Sequence, residues 1–151
     1  MFETVVAQCI DAGLASGQRY AADASIIAAD ANRQQSTPKV DWDPEAIDPN
    51  EAPRAVREYL ETLDDAAFGA ASPVIPKFIS HSDPASQWTG ARGGPAYFAY
   101  STNYLIDTDN AVILDVEATR SIRQAEVGAV KTMIDRVQKV HNLMPEHLIA
   151  D

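Results

Sequence analysis

Apolar residues recur at spacings of three and four from the start of the chain. Phe2, Val5, Val6, Cys9, Ile10 and Leu14 fall on one side of a helix, and the stripe stops at Gly17. A short amphipathic helix is predicted there. From Gln18 to Ala29, QRYAADASIIAA sets Tyr20, Ile26 and Ile27 among small residues with Asp23 in the middle, which predicts a buried strand. Residues 32–50 are polar and carry Pro38, Pro44 and Pro49, which suit neither a helix interior nor a central strand, so a loop is predicted. Pro53 then opens a helix with Ala55, Val56, Tyr59, Leu60, Leu63 and Ala67 on one side. Glu58, Glu61, Asp64 and Asp65 face water on the other.

Between Ala70 and Pro95 the prolines at 73, 76, 84 and 95 and the glycines at 90, 93 and 94 predict a second long loop. Tyr97 to Ile106 (YFAYSTNYLI) is aromatic and β-branched, and Ala111 to Ala118 (AVILDVEA) alternates. With Asp107-Thr108-Asp109-Asn110 between them, the two runs predict an antiparallel hairpin. On its second strand Val112, Leu114, Val116 and Ala118 share one face, and Ile113, Asp115 and Glu117 share the other, solvated one. Ser121 to Gln124 resembles a capping box, and Val127, Val130, Ile134 and Val137 carry a helical stripe to about His141. After Pro145, His147 to Asp151 begins an extended segment. The order is α/β: helix, strand, long insert with a helix, two strands, helix, strand. A crossover through the 121–141 helix lays the last strand parallel to an earlier one. If that neighbour is the Asp23 strand, Asp151 falls beside Asp23.

Composition bounds the chemistry. A chain of 151 residues has the size of one domain. No apolar run approaches the roughly 18–20 residues that cross a bilayer, and no secretory signal is readable at the start, so no membrane partner and a cytoplasmic address are expected. Cys9 is the single cysteine, which excludes an internal disulfide and a multi-thiolate zinc site. The formal net charge is -10, and such a chain repels polyanions as a whole. The charge is uneven, though: residues 39–65 hold nine acids and three bases.

Paired carboxylates on adjacent strands suit Mg²⁺ or Mn²⁺, because hard cations take oxygen ligands and keep waters that a phosphate can replace. Asp23 and Asp151 are the candidates for such a pair. Turn capping for Asp23 and a solvated surface role for Asp151 remain open beside it.

The stretch Asp23 to Arg33 (DASIIAADANR) resembles the segment around the first catalytic aspartate of the DDE transposases of bacterial insertion sequences, which ends in A-x-A-N-R. Ser82 to Trp88 (SDPASQW) resembles that family's S-D-P-x-A-x-W stretch, and Phe98 to Glu117 resembles the paired strands that follow. Leu148 to Asp151 resembles the approach to the second catalytic aspartate, which in the family leads into D-x-x-Y-x-S. The four pieces stand in the family's order over about residues 19–151. The resemblance implies a ribonuclease H-like mixed sheet with flanking helices, incomplete at the C-terminus. Residues 1–17 would be a remnant of an N-terminal helical region, and 18–151 a partial catalytic domain with an acidic helical insert around 39–95. It implies DNA transposition: metal-dependent cleavage and strand transfer at the terminal inverted repeats of an insertion element, by an enzyme that is a homo-oligomer when complete. Asp23 and Asp151 would be the first two of three catalytic carboxylates holding Mg²⁺ or Mn²⁺. The third, a glutamate, follows the second aspartate in the family, so a truncated chain with little activity is expected.

Arg33, Lys77, Trp88 and Arg92 are candidate DNA contacts, as cations and a stacking ring; surface charge balance and a core-covering tryptophan are the plainer readings. Lys39 belongs with those cations. Asp107 and Asp109 read as hairpin turn residues, and His81, His141 and His147 have no metal-binding spacing. The competing reading is an acidic protein-interaction module, without metal chemistry, that uses the aromatic strands or the 53–68 helix.

Overall fold

A computed structural model describes residues 1–54, 56–57, 77–90 and 94–150, with 123 and 124 described by backbone alone. Its elements are helix α1 (Phe2–Asp11), strands β1 (Arg19–Ala28), β2 (Ser36–Pro38), β3 (Phe78–Ser80), β4 (Gln87–Thr89), β5 (Tyr97–Asp107) and β6 (Val112–Arg120), helix α2 (Arg123–His141) and strand β7 (His147–Ala150). The main sheet has the order β4-β5-β1-β7, with β6 also on β5, while β2 and β3 form a separate ribbon. β1 and β7 are parallel, from Arg19↔His147 to Ala22↔Ala150. The Ala29 amide bonds the Phe98 carbonyl at one end of β1, and the Thr108 amide bonds the Arg19 carbonyl at the other, so β1 and β5 run antiparallel. The fold is mixed α/β with a mixed sheet. Among the described residues no helix is long and apolar enough to cross a membrane.

Residues 1–25, 102–118 and 127–151 form one compact unit, and 26–101 with 119–126 a second. The first unit's core gathers Val6, Ala15, Tyr20, Leu105, Leu114, Ala129, Met133 and Val137. The buried line on α2 is therefore Ala129-Met133-Val137 at spacing four; of the predicted stripe Val137 lies on it, Val130 and Ile134 are half-buried, and Val127 is 66% exposed. Alanine lets the helix axis approach the sheet, and a stripe chosen by side-chain size misses that. α1 ends earlier than its apolar pattern. Gly13 takes φ +72°, its amide bonds Ile10 O, and the Leu14 amide reaches Cys9 O, a left-handed stop that satisfies the last carbonyls. Only Val6 of the predicted α1 stripe is fully buried, and Phe2, Val5 and Leu14 are exposed.

The predicted buried strand also needs correction. Tyr20 at the start of β1 is fully buried, but Ile26 and Ile27 are 44% and 51% exposed. A run of small and apolar residues records compatibility with burial, whereas burial itself needs a covering layer.

In the second unit both predicted loops contain strands. β2 pairs antiparallel with β3, Thr37 opposite Ile79, and β4 pairs antiparallel with β5, Trp88 opposite Phe98. Each of β2, β3 and β4 is three residues long, too short to show alternation. Residues 39–41 and 44–46 are single 3₁₀ turns. Arg54, Val56 and Arg57 are helical and Val56 is buried, as Pro53 predicted; residues 58–76 of the predicted acidic helix and loop lie outside the described residues.

Candidate functional site

Asp23 sits on the exposed stretch of β1. One carboxylate oxygen accepts the amide of Ala24 at 2.8 Å, which leaves the other open to water. The parallel register ends on Ala22↔Ala150, the residues that precede Asp23 and Asp151. Asp151 itself lies outside the described residues, as does Arg92. By donor type Asp23 suits a hard cation. One carboxylate is not a metal centre, however, and among the described residues no three His, Cys, Asp or Glu side chains come together as a metal-binding group.

A second feature lies in the other unit. Ala29, Asp30, Ala31, Asn32, Arg33 and Gln35 line a cavity of about 580 Å³ with Ser82, Trp88, Ala96 and Tyr97. It joins the two stretches that the sequence singled out, Asp23 to Arg33 and Ser82 to Trp88. Asn32 is extended, and its side-chain oxygen caps the turn at Arg33–Gln35 by accepting the Gln34 amide at 2.9 Å. The turn presents Arg33, whose guanidinium carbon stands 3.5 Å from the Phe78 ring centroid and 5.8 Å from that of Trp88. A cation over an aromatic face gains about 0.5–1 kcal/mol at an exposed site and keeps its in-plane donors. Arg33 spends only a long 3.4 Å bond, to Ser36 Oγ, and among the described residues it pairs with no carboxylate. Trp88 packs edge-on against Phe78 and Phe98, with centroids 5.6 and 5.0 Å away, so it is a core-covering ring and a cavity wall at once.

The segment before Trp88 is held by polar bonds that are partly or fully buried. Ser86 Oγ donates to Asp83 O at 2.7 Å, and Tyr100 donates to Asp83 Oδ1 at 2.6 Å. Arg120 donates from Nε to Ala85 O at 2.8 Å and from Nη2 to Gln87 Oε1 at 3.3 Å. Burial, then the Asp83 bond and charge, raise the Tyr100 pKa well above the ordinary phenol value. Asp83, Ala85, Ser86 and Gln87 fall in the Ser82 to Trp88 stretch that the sequence singled out, but their bonds to Tyr100 and Arg120 were not legible in it.

The remaining candidates resolve differently. Lys77 is exposed and outside the cavity lining, and its carbonyl accepts the Lys39 amide at 3.1 Å. Asp115 and Glu117 are no free solvated face, since both are bonded by Arg136 at 2.7 and 2.8 Å. Asp107 is fully buried rather than a simple turn residue. Asp109 takes Arg19 at 2.8 Å and Ser16 Oγ, and these bonds, Arg19 first, hold its carboxyl below the usual range. His81 stacks on Trp42 and bonds Thr37.

Compared with family models, curated proteins and solved structures, the chain matches none.

Proposed function

We propose that the chain is a ribonuclease H-like domain of the insertion-sequence DDE type that acts on DNA, with Asp23 and Asp151 as two carboxylates of a divalent-cation site. The observation that carries this reading is the parallel pairing of β1 and β7, whose last partners, Ala22 and Ala150, are the residues before the two aspartates. Adjacent parallel strands put neighbours at like register about 4.8 Å apart, a separation that suits two ligands of one cation. The order β1, hairpin β5–β6, α2, β7 agrees with the three strands, helix and strand that the resemblance implies. Exposure of Asp23 leaves it open to a substrate. When bound, Mg²⁺ or Mn²⁺ would neutralise phosphate charge and lower the pKa of an attacking water. Asp23 would orient the cation, and Arg33 and Trp88 would hold the nucleic acid.

Calorimetric titration of Mn²⁺ into the chain and into Asp23→Asn tests this, with far-ultraviolet dichroism to confirm that both fold. The expected result is Mn²⁺ binding in the parent that weakens at least about tenfold in the variant. Equal binding in both, or no binding by the folded parent, overturns the reading.

A further inference from the structure

The Arg33–Trp88 cavity belongs to a different unit from Asp23, and its chemistry specifies a ligand more closely than "DNA" does. We infer that it receives one unpaired nucleotide of a DNA strand, the base against Trp88 and the neighbouring phosphate on Arg33. This rests on the reading of DNA as the substrate.

Size comes first: about 580 Å³ lies within the range of roughly 300–1,000 Å³ typical of small-ligand sites. Wall chemistry comes second. Trp88 and Tyr97 offer aromatic surface, and Ala29, Ala31 and Ala96 present only methyl groups, so a flat ring can approach closely. Base–aromatic stacking of this kind contributes about 1–3 kcal/mol per base and tolerates any base. Charge comes third. In a chain of net -10, Arg33 is a cation held in place by a ring rather than by an acid, and its unspent in-plane donors match phosphate oxygens. Asp30 in the same lining repels phosphate but accepts from a base-edge N–H, such as the N3–H of thymine, which places the phosphate on the Arg33 side and the base edge on the Asp30 side.

The ring must be unpaired. Trp88 is half-buried between Phe78 and Phe98, and a duplex presents phosphates and groove edges rather than base faces. A base therefore meets this ring only after leaving its stack.

The test is fluorescence anisotropy with a labelled short oligothymidylate and the same oligomer annealed to its complement, in EDTA and low salt. Far-ultraviolet dichroism confirms the fold of each variant. The expected result is single-strand binding at least about tenfold tighter than duplex binding. Arg33→Ala and Trp88→Ala should each lose about tenfold, with most affinity kept in Trp88→Phe. In a Trp42→Phe background, the single strand should also quench the remaining tryptophan. Equal binding of both DNA forms, or unchanged affinity in folded Trp88→Ala, overturns the assignment. EDTA separates the two proposals: loss of Mn²⁺ binding at Asp23 leaves this result standing, and failure of single-strand binding leaves the Asp23 titration standing.

Discussion

The Tyr100 hydroxyl lies 2.6 Å from Oδ1 of Asp83 and donates its proton there. The bond anchors the segment that leads into Trp88, because the Asp83 carbonyl also receives the Ser86 hydroxyl and amide. A hydrogen bond to a charged acceptor is worth about 1.5–3 kcal/mol. Tyr100→Phe should therefore lower unfolding free energy by about 2 kcal/mol in urea titration. Asp83→Asn should cost less, since the amide oxygen still accepts. If Tyr100→Phe melts like the parent, the bond does not anchor the loop.

Alkaline pH should reveal two tyrosines. The Tyr100 pKa is raised, by burial first and then by Asp83, and burial followed by the Asp107 charge pushes Tyr20 up to about 12. A group with a raised folded pKa contributes stability in full below its unfolded value, near 10 for tyrosine, and loses it as pH climbs toward the folded value. Stability should thus fall from about pH 10 upward, more shallowly in Tyr100→Phe. Urea midpoints between about pH 9 and 11.5 give the comparison. A flat profile across that window would contradict both shifts.

Asp107 is the clamp of the first unit. Its Oδ2 accepts the amides of Ser16 at 3.0 Å and Gly17 at 3.1 Å, and its Oδ1 that of Asp109 at 3.0 Å. Removal strands three donors, each worth about 1–3 kcal/mol if buried without a partner. Asp107→Ala should therefore cost about 3 kcal/mol, and Asp107→Asn clearly less. Gly17 is tuned to the same clamp: its φ is +77°, and a Cβ there would meet Leu143 Cδ2 at 3.2 Å. Gly17→Ala is expected to cost about 1–2 kcal/mol.

These two clamps mark what a linear reading reaches. Long periodic signals gave α2, the β5–β6 hairpin and, through the crossover, the parallel partner of β1. Three-residue strands such as β3 and β4 carry too few positions to show a period. Asp107 reads as a turn residue because its partners, Ser16 and Gly17, are about 90 positions away, and no local pattern encodes that distance. For the site, the sequence named Arg33 and Trp88 separately and missed that Phe78 sits beneath one and beside the other. Asp30, Asn32, Gln35 and Tyr97 carried no signal as cavity walls.

Tyr20 shows the limit from the other side. It is fully buried as its apolar setting predicts, yet its hydroxyl has no hydrogen-bond partner among the described residues. An unpaired buried hydroxyl costs about 1–3 kcal/mol. Tyr20→Phe should be neutral or raise the thermal midpoint by a few degrees, whereas Tyr20→Ala should cost about 3–5 kcal/mol through the cavity it leaves. A clear loss in Tyr20→Phe would mean that the hydroxyl is satisfied.

Arg136 on α2 bridges to β6, bonding Asp115 Oδ2 at 2.7 Å, Glu117 Oε2 at 2.8 Å and the Val116 carbonyl at 3.2 Å. Among the described residues β6 pairs with β5, and Arg136 bonds the β6 carbonyl that lies between the two acids. The Asp115 bond is the leading cause of the raised Arg136 pKa, so the guanidinium stays charged at every pH where the fold persists. The side chain is 41% exposed, which places the pair near the surface regime of about 0.2–1 kcal/mol, with two acids and one carbonyl lifting it toward the upper end. Arg136→Ala should lose about 1 kcal/mol at low salt. About half of that loss should vanish in molar salt, because screening weakens the parent's ion pairs while the carbonyl bond and the packed stem remain. Arg136→Lys should recover less than half, since an ammonium cannot fork between two carboxylates. Denaturation of the three proteins at both ionic strengths decides the matter: a salt-independent loss would assign Arg136 to packing alone.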